Sequence, residues 1–72
     1  MVDPYAPEPL RDQVAALLRA RIGELRRRDW LPSEASLAQE YEVSRDTIRA
    51  AMGLLRDEGL VVTIQGRGSY IA

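Results

Sequence analysis

The segment that most constrains the fold of this chain is residues 43–58, VSRDTIRAAMGLLRDE. Ser44 is a favourable N-cap, and apolar residues then recur at positions 48, 51, 52 and 55, which is helical spacing. Gly59 follows directly, and glycine commonly ends a helix because it adopts left-handed backbone angles at little cost. The pattern predicts a short amphipathic helix, helix 3, at about residues 45–58.

The residues after this helix predict a β-hairpin. Residues 60–64, LVVTI, are rich in β-branched side chains, and Gly66-Arg67-Gly68 has the composition of a turn. Residues 69–71 then return as a second strand. An arginine is therefore expected at the tip of the hairpin, at residues 65–68.

Two more helices are predicted upstream. Apolar residues at positions 10, 14, 17, 18, 22 and 25 trace one helical face, which predicts helix 1 at about residues 10–28. Pro32 favours an extended Leu31, and Ser33 is then a good N-cap for helix 2 at about residues 34–41. Residues 1–9 contain three prolines, which predict a flexible N-terminal arm.

These elements predict a fold that is mostly α with a small β-hairpin. Only two or three residues separate helices 2 and 3, which is typical of a helix-turn-helix. The C-terminal hairpin makes it a winged helix-turn-helix, with three helices and a two-stranded wing. We expect residues 10–72 to form this single domain.

Composition excludes several function classes. The 72 residues include no cysteine and no histidine, so the usual zinc ligands and the usual general base are absent. We therefore expect no metal, no cofactor and no enzymatic activity. No apolar run approaches the roughly 18 residues of a membrane span, and the N-terminal residues lack the basic segment and apolar core typical of a signal peptide. We expect a cytoplasmic protein that does not associate with membranes.

Charge alone does not favour a nucleic-acid partner. Ten arginines oppose eleven acidic residues, and the formal net charge is −1. Residues 11–29 carry six arginines against three acids, whereas residues 33–49 carry two arginines against four acids. Because a basic patch is the ordinary sign of nucleic-acid binding, any such binding must depend on well-placed arginines.

The chain resembles the N-terminal winged helix-turn-helix domain of GntR-type bacterial transcription regulators. The similarity extends over about residues 10–72, and its wing and Glu40-Tyr41 pair are most similar to the HutC-type branch. The matching residues are Leu31-Pro32-Ser33-Glu34, Leu37-Ala38, Tyr41, Val43-Ser44-Arg45, Thr47-Ile48-Arg49, Leu55, Glu58-Gly59-Leu60-Val61 and Gly66-Arg67-Gly68-Ser69.

The resemblance implies sequence-specific DNA binding, most often by a repressor, to a near-palindromic operator. It also implies homodimerisation of a full regulator through a C-terminal effector-binding domain, which this sequence does not contain. We therefore expect these residues to be a fragment of a regulator, monomeric or weakly dimeric in isolation. The rival hypothesis, favoured by the acidic balance, is a winged-helix protein-interaction module that does not bind DNA.

The sequence departs from the family pattern at several positions. Ala35 stands where family members often carry a phosphate-contacting arginine, and Ser36 replaces an acidic residue. Asp46 stands where a small neutral residue is common. Facing a phosphate, Asp46 would repel it; facing a cytosine amino group, it could accept a hydrogen bond.

Candidate DNA-contacting arginines lie on helix 3 and in the wing. Arg45 and Arg49 are four residues apart, so both project from one face, and an arginine fork suits guanine O6 and N7. The alternative is that they are surface arginines paired with Asp46 or Glu42. Gly66 and Arg67 suit a close approach to a minor groove, or form a simple hairpin turn with Arg67 in solvent.

Hydroxyl side chains are the remaining candidates. Ser44 and Thr47 are suited to phosphate or base contact, although Ser44 also suits a helix cap. Ser33 could contact phosphate or cap helix 2, and capping is favoured. Ser36 could contact phosphate or lie on the solvated surface, and the surface position is favoured.

Overall fold

The computed structural model describes all residues, 1–72, and has the predicted winged helix-turn-helix architecture. Three helices precede a two-stranded antiparallel hairpin. Their bounds are α1 Leu10–Ile22, α2 Glu34–Tyr41, α3 Arg45–Asp57, β1 Val61–Ile64 and β2 Gly68–Ile71. No helix in the structure combines the length and apolar character that crossing a membrane requires.

Helix α1 is shorter than its apolar pattern predicts, so the expected end near residue 28 is wrong. It stops at Ile22, and Gly23, a poor helix former, is the next residue. The Asp29 carboxylate accepts a hydrogen bond from the Arg26 N–H at 2.9 Å, which holds residues 26–29 in a turn. Arg28 has a left-handed φ of 69°, which is incompatible with a continuing helix.

The segment after this turn joins the hairpin as a short edge strand. The Arg28 N–H donates to the Ile71 carbonyl at 2.8 Å, and the Leu31 N–H donates to the Ser69 carbonyl at 2.8 Å. Trp30 forms an antiparallel bridge with Tyr70, and their rings meet edge to face at 5.3 Å. The extended Leu31 predicted from Pro32 is confirmed and Leu31 is buried, whereas Trp30 is 54% exposed and is not a core residue.

One hydrophobic core joins all the elements. Its largest fully buried side chains are Val14 and Leu18 of α1, Leu37 of α2, and Ile48 and Leu55 of α3. The apolar positions that predicted α3, residues 48, 51, 52 and 55, are all buried. Burial of this stripe fixes which face of α3 is left to solvent.

The N-terminal arm lies against α1. The Asp3 N–H donates to Gln13 Oε1 at 2.7 Å, and Gln13 Nε2 donates to the carbonyls of Asp3 and Glu8 at 2.9 Å each. Val2 packs against the core. The flexibility expected of residues 1–9 stays a prediction.

Two left-handed residues define the turns that end α2 and α3. Glu42, at φ 57°, ends α2, and the Val43 N–H donates back to the Ala38 carbonyl at 3.0 Å. Gly59, at φ 75°, ends α3, and the Leu60 N–H donates to the Leu55 carbonyl at 3.0 Å. Both turns have the bonding pattern of a Schellman motif, so the helix-turn-helix geometry is fixed by backbone hydrogen bonds.

Candidate nucleic-acid interface

An open groove of about 450 Å³ lies between the start of α2, the start of α3 and the wing. Ser33, Glu34 and Ala35 line it from α2 and its cap, and Arg45 lines it from α3. The wing contributes residues 63–69, including Arg67 at its tip. The fold therefore brings together two arginines that are 22 positions apart in the sequence, and both are exposed.

The N-termini of α2 and α3 are capped in the same way. Ser33 Oγ accepts the Ser36 N–H at 3.1 Å, and Ser44 Oγ accepts the Thr47 N–H at 3.1 Å. In each pair the two hydroxyl oxygens also lie within hydrogen-bond distance, at 3.0 and 2.9 Å. The capping predicted for Ser33 and Ser44 is confirmed. Both helices begin beside the groove, where the partial positive charge of a helix N-terminus favours anions.

Arg49 bridges α2 and α3 instead of lining the groove. Its Nη1 lies 3.5 Å from Asp46 Oδ1, and its Nη2 lies 3.4 Å from Glu34 Oε1. The pairing with Asp46 is the alternative left open by the sequence, whereas Glu42 is not a partner. Glu34 was not anticipated as a partner, because the spacing of residues along the sequence does not predict contacts between separate helices.

The other candidate residues lie at the N-terminal ends of α2 and α3. Asp46 projects into solvent, with 91% of its side chain exposed, whereas Thr47 is half-buried. Ser36 is exposed on α2. Of the nine candidates, Ser33, Arg45, Gly66 and Arg67 line the groove; the others, Ser36, Ser44, Asp46, Thr47 and Arg49, do not.

The wing turn depends on glycine for its backbone angles. Gly66 and Gly68 have φ values of 80° and 112°, which side-chain-bearing residues rarely adopt. The Arg67 N–H donates to the Ile64 carbonyl at 2.9 Å and closes the turn. The added Cβ of a substituted Gly66 would meet no atom within 4 Å, so the turn tip has open space around it.

A hydrogen-bonded chain at the base of the wing was not anticipated from the sequence. Arg56 Nη1 donates to Thr63 Oγ1 at 2.9 Å, and Thr63 Oγ1 lies 2.8 Å from Ser69 Oγ. Thr63 and Ser69 are register partners in the hairpin. These hydrogen bonds connect the last turn of α3 to both strands of the wing. The antiparallel register of a hairpin is the only signal that could have paired Thr63 with Ser69.

Comparison with known proteins places the chain among bacterial regulators. Residues 10–71 match the family described as bacterial regulatory proteins, gntR family. The chain is 41% identical over 66 residues to the mannosyl-D-glycerate transport/metabolism system repressor MngR of Escherichia coli strain K12, covering 89% of this chain and 28% of the repressor. It is also 41% identical over 69 residues to the histidine utilization repressor of Klebsiella aerogenes, covering 93% and 29%.

Solved structures agree with this result. The crystal structure of AraR(DBD) in complex with operator ORX1 superposes with a TM-score of 0.87 at 32% identity, covering 100% of this chain and 92% of that one. The chain spans less than a third of the length of the two repressors, at 28% and 29%. The match over residues 10–71 shows that the chain belongs to the gntR family of bacterial regulatory proteins.

Proposed function

We propose that this chain is the sequence-specific DNA-binding domain of a bacterial transcription regulator that acts as a repressor in the cytoplasm. The observation that carries the proposal is the groove in which Arg45 of α3 and Arg67 of the wing lie beside two capped helix N-termini. Cations and helix N-termini both favour phosphate, and an exposed helix face beside them suits a major groove.

In the proposed arrangement, the first turns of α3 enter the major groove and the wing tip enters the adjacent minor groove. Arg45 and Arg49 contact bases or phosphates, and Arg67 is drawn to the negative potential of a narrow minor groove. Gly66 allows the close approach of the backbone. Hydroxyl and carboxylate contacts are assigned to Ser33, Ser36, Ser44, Asp46 and Thr47.

A dimer of the full regulator on a near-palindromic operator is the proposed working unit, with half-sites about 10 bp apart or a multiple of that distance. The repressors similar to this chain are more than three times its length, so dimerisation and effector response are assigned to parts of the regulator beyond these residues. The isolated domain contributes few cations, so its affinity is expected to be micromolar or weaker and to fall steeply with salt.

The experiment starts from duplexes selected out of a randomised pool by the wild-type domain. Anisotropy titrations at two salt concentrations then compare wild type with Arg45→Ala and Arg67→Ala. Each variant is expected to weaken binding about fivefold to a hundredfold and to lower the salt dependence. Arg11→Ala removes the same charge from an exposed site at the start of α1 and should change little.

The rival function, a protein-interaction module, predicts a different result. It requires that wild type bind no duplex in a salt-dependent way. Equal losses for Arg11→Ala and Arg45→Ala would also contradict the proposal, because they would show a response to net charge and not to the groove.

A further inference from the structure

We propose that Asp46 and Arg49 together read one G·C base pair, with Arg49 donating to the guanine and Asp46 accepting from the amino group of its cytosine. Asp46 is then a specificity-determining residue of the interface. This inference rests on the proposed DNA-binding function.

The two side chains form one exposed recognition unit. They lie three residues apart in the first turns of α3, and Arg49 Nη1 is 3.5 Å from Asp46 Oδ1. Their side chains are 60% and 91% exposed, so both reach solvent beyond the helix surface. A donor group and an acceptor group are therefore presented side by side to whatever approaches α3.

This order of groups matches the major-groove edge of a G·C pair. Along that edge, guanine presents two acceptors, N7 and O6, and the paired cytosine then presents the N4 amino donor. An A·T pair presents an acceptor, a donor and an acceptor, so its adenine offers only one acceptor to an arginine fork. A unit of two donors followed by one acceptor is therefore complementary to G·C and not to A·T.

The ion pairs of Arg49 leave its donors available. The guanidinium carries five N–H groups, and only one contact is made at each Nη nitrogen. Contacts of 3.4 and 3.5 Å are long for charged hydrogen bonds, and the groups are exposed, so little free energy is lost when DNA replaces one of them. Glu34 of α2 is the other carboxylate beside this guanidinium.

The charge of Asp46 makes this arrangement selective. Residues 33–49 carry two more acids than arginines, with Asp46 among the four acids, so the Asp46 charge weakens the attraction of this surface for any phosphate backbone. Both G·C and A·T pairs offer an amino group in the major groove, but only G·C places one opposite the carboxylate while two acceptors face Arg49, so only G·C compensates fully for that repulsion. Selectivity then comes from a penalty against other sequences as well as from a contact with the right one.

The test repeats the duplex selection with Asp46→Ala and with Asp57→Ala as the matched control. Asp57 is exposed at the other end of α3, so its loss changes the net charge equally. For Asp46→Ala, discrimination at one G·C pair should fall about fivefold to a hundredfold, the usual cost of one mismatched pair, while binding to unselected duplex rises. Asp57→Ala should keep the wild-type base preferences.

A second variant shows whether the two residues act as one unit. Arg49→Ala should relax the same base pair as Asp46→Ala, and the double variant should add less than the sum of the two effects. Amide chemical shifts outside residues 44–50 would confirm that each variant is folded.

The inference is overturned if Asp46→Ala retains every wild-type base preference, or if the two variants relax different pairs. Both results leave DNA binding intact and so separate this inference from the proposed function. Absence of wild-type binding to any duplex would overturn both.

Discussion

Arginines on the two sides of this domain make different kinds of contact. On the side formed by α1, Arg19 donates through Nε and Nη2 to both oxygens of Glu58, at 2.7 and 2.6 Å. Arg21 contacts Glu40 at 2.6 Å and the Tyr41 hydroxyl at 3.3 Å. Hydrogen bonding to Glu58 and to Tyr41, respectively, raises the pKa of each guanidinium. These arginines connect α1 to the end of α3 and to α2.

On the side of the groove, the contacts are longer or absent. Arg49 is 3.4 and 3.5 Å from its two carboxylates, and neither Arg45 nor Arg67 has an ion-pair partner. All three side chains are exposed. Arg19 and Arg21 each make a carboxylate contact of 2.6 Å that stabilises the arrangement of helices, whereas the longer contacts of Arg49 leave its guanidinium available to a ligand. Contact length therefore distinguishes the two arginines that hold α1 against its neighbours from the three arginines on α3 and the wing.

The largest expected difference is between Arg49→Ala and Arg21→Ala. Arg49→Ala should weaken binding to a selected duplex by about 1–3 kcal/mol, because a base contact is lost, with little change in the free energy of unfolding. Arg21→Ala should leave DNA affinity nearly unchanged and lower the free energy of unfolding by about 1 kcal/mol, because its ion pair is partly exposed to solvent. Anisotropy titration and urea unfolding of both variants measure the two effects.

The opposite pattern of effects would contradict the division of these arginines into two groups. If Arg21→Ala lost DNA affinity as strongly as Arg49→Ala, contact length would not distinguish the two groups. A large loss of stability in Arg49→Ala would assign Arg49 to the structural group.

Ser44 gives the next largest effect, because it belongs to both the helix and the candidate interface. Ser44→Ala removes the oxygen that accepts the Thr47 N–H, and should lower the free energy of unfolding by about 1 kcal/mol. Ser44→Asp keeps a capping acceptor but adds a negative charge where phosphate is expected. Ser44→Asp should therefore have a urea unfolding midpoint close to that of wild type, and yet bind DNA more weakly than Ser44→Ala. Full DNA affinity in Ser44→Asp would remove this end of α3 from the interface.

Local signals predicted most of the fold, and long-range contacts account for what they missed. Ser33 and Ser44 acted as caps, and the apolar stripe of α3 was buried as expected, because each depends on residues within one or two turns. The end of α1 was placed wrongly although Gly23 follows Ile22 directly, and local signals gave no sign that residues 28–31 pair with β2 some 40 positions away. An apolar residue at position 25 extended the helical pattern without belonging to the helix.

The same limit applies to the candidate site. Helical spacing placed Arg45 and Arg49 on one face, and the wing composition placed Arg67 at a turn. Residue spacing does not predict the contact between Glu34 and Arg49 or the hydrogen bond from Arg56 to Thr63, because each joins two different secondary-structure elements. The residues that are proposed to touch DNA were recognisable one by one, whereas the residues that position them required the tertiary structure.

The two left-handed turns extend the comparison to the backbone. Glu42 ends α2 with a φ that is unfavourable for a residue with a side chain, whereas Gly59 adopts a similar φ at the end of α3. Glu42→Gly should therefore raise the free energy of unfolding by about 0.5–1 kcal/mol, and Gly59→Ala should lower it by about 1 kcal/mol. Urea unfolding measures both. A destabilised Glu42→Gly would show that the Glu42 side chain itself supports the turn between α2 and α3.

The smallest effect concerns pH and tests the structural side alone. The hydrogen bond from Arg19 holds the pKa of Glu58 below its ordinary value of about 4.5. The charged carboxylate therefore stabilises the folded state above that pH, and this contribution is lost as the pH falls from about 4.5 through the lower folded-state pKa. Urea unfolding of wild type and Glu58→Gln, compared at pH 6 and at steps below pH 4.5, should show a shallower acid loss in the variant. Arg45→Ala, which has no carboxylate partner, should follow the wild-type curve; if its curve flattened as much as that of Glu58→Gln, the acid loss would not arise from the pair between α1 and α3.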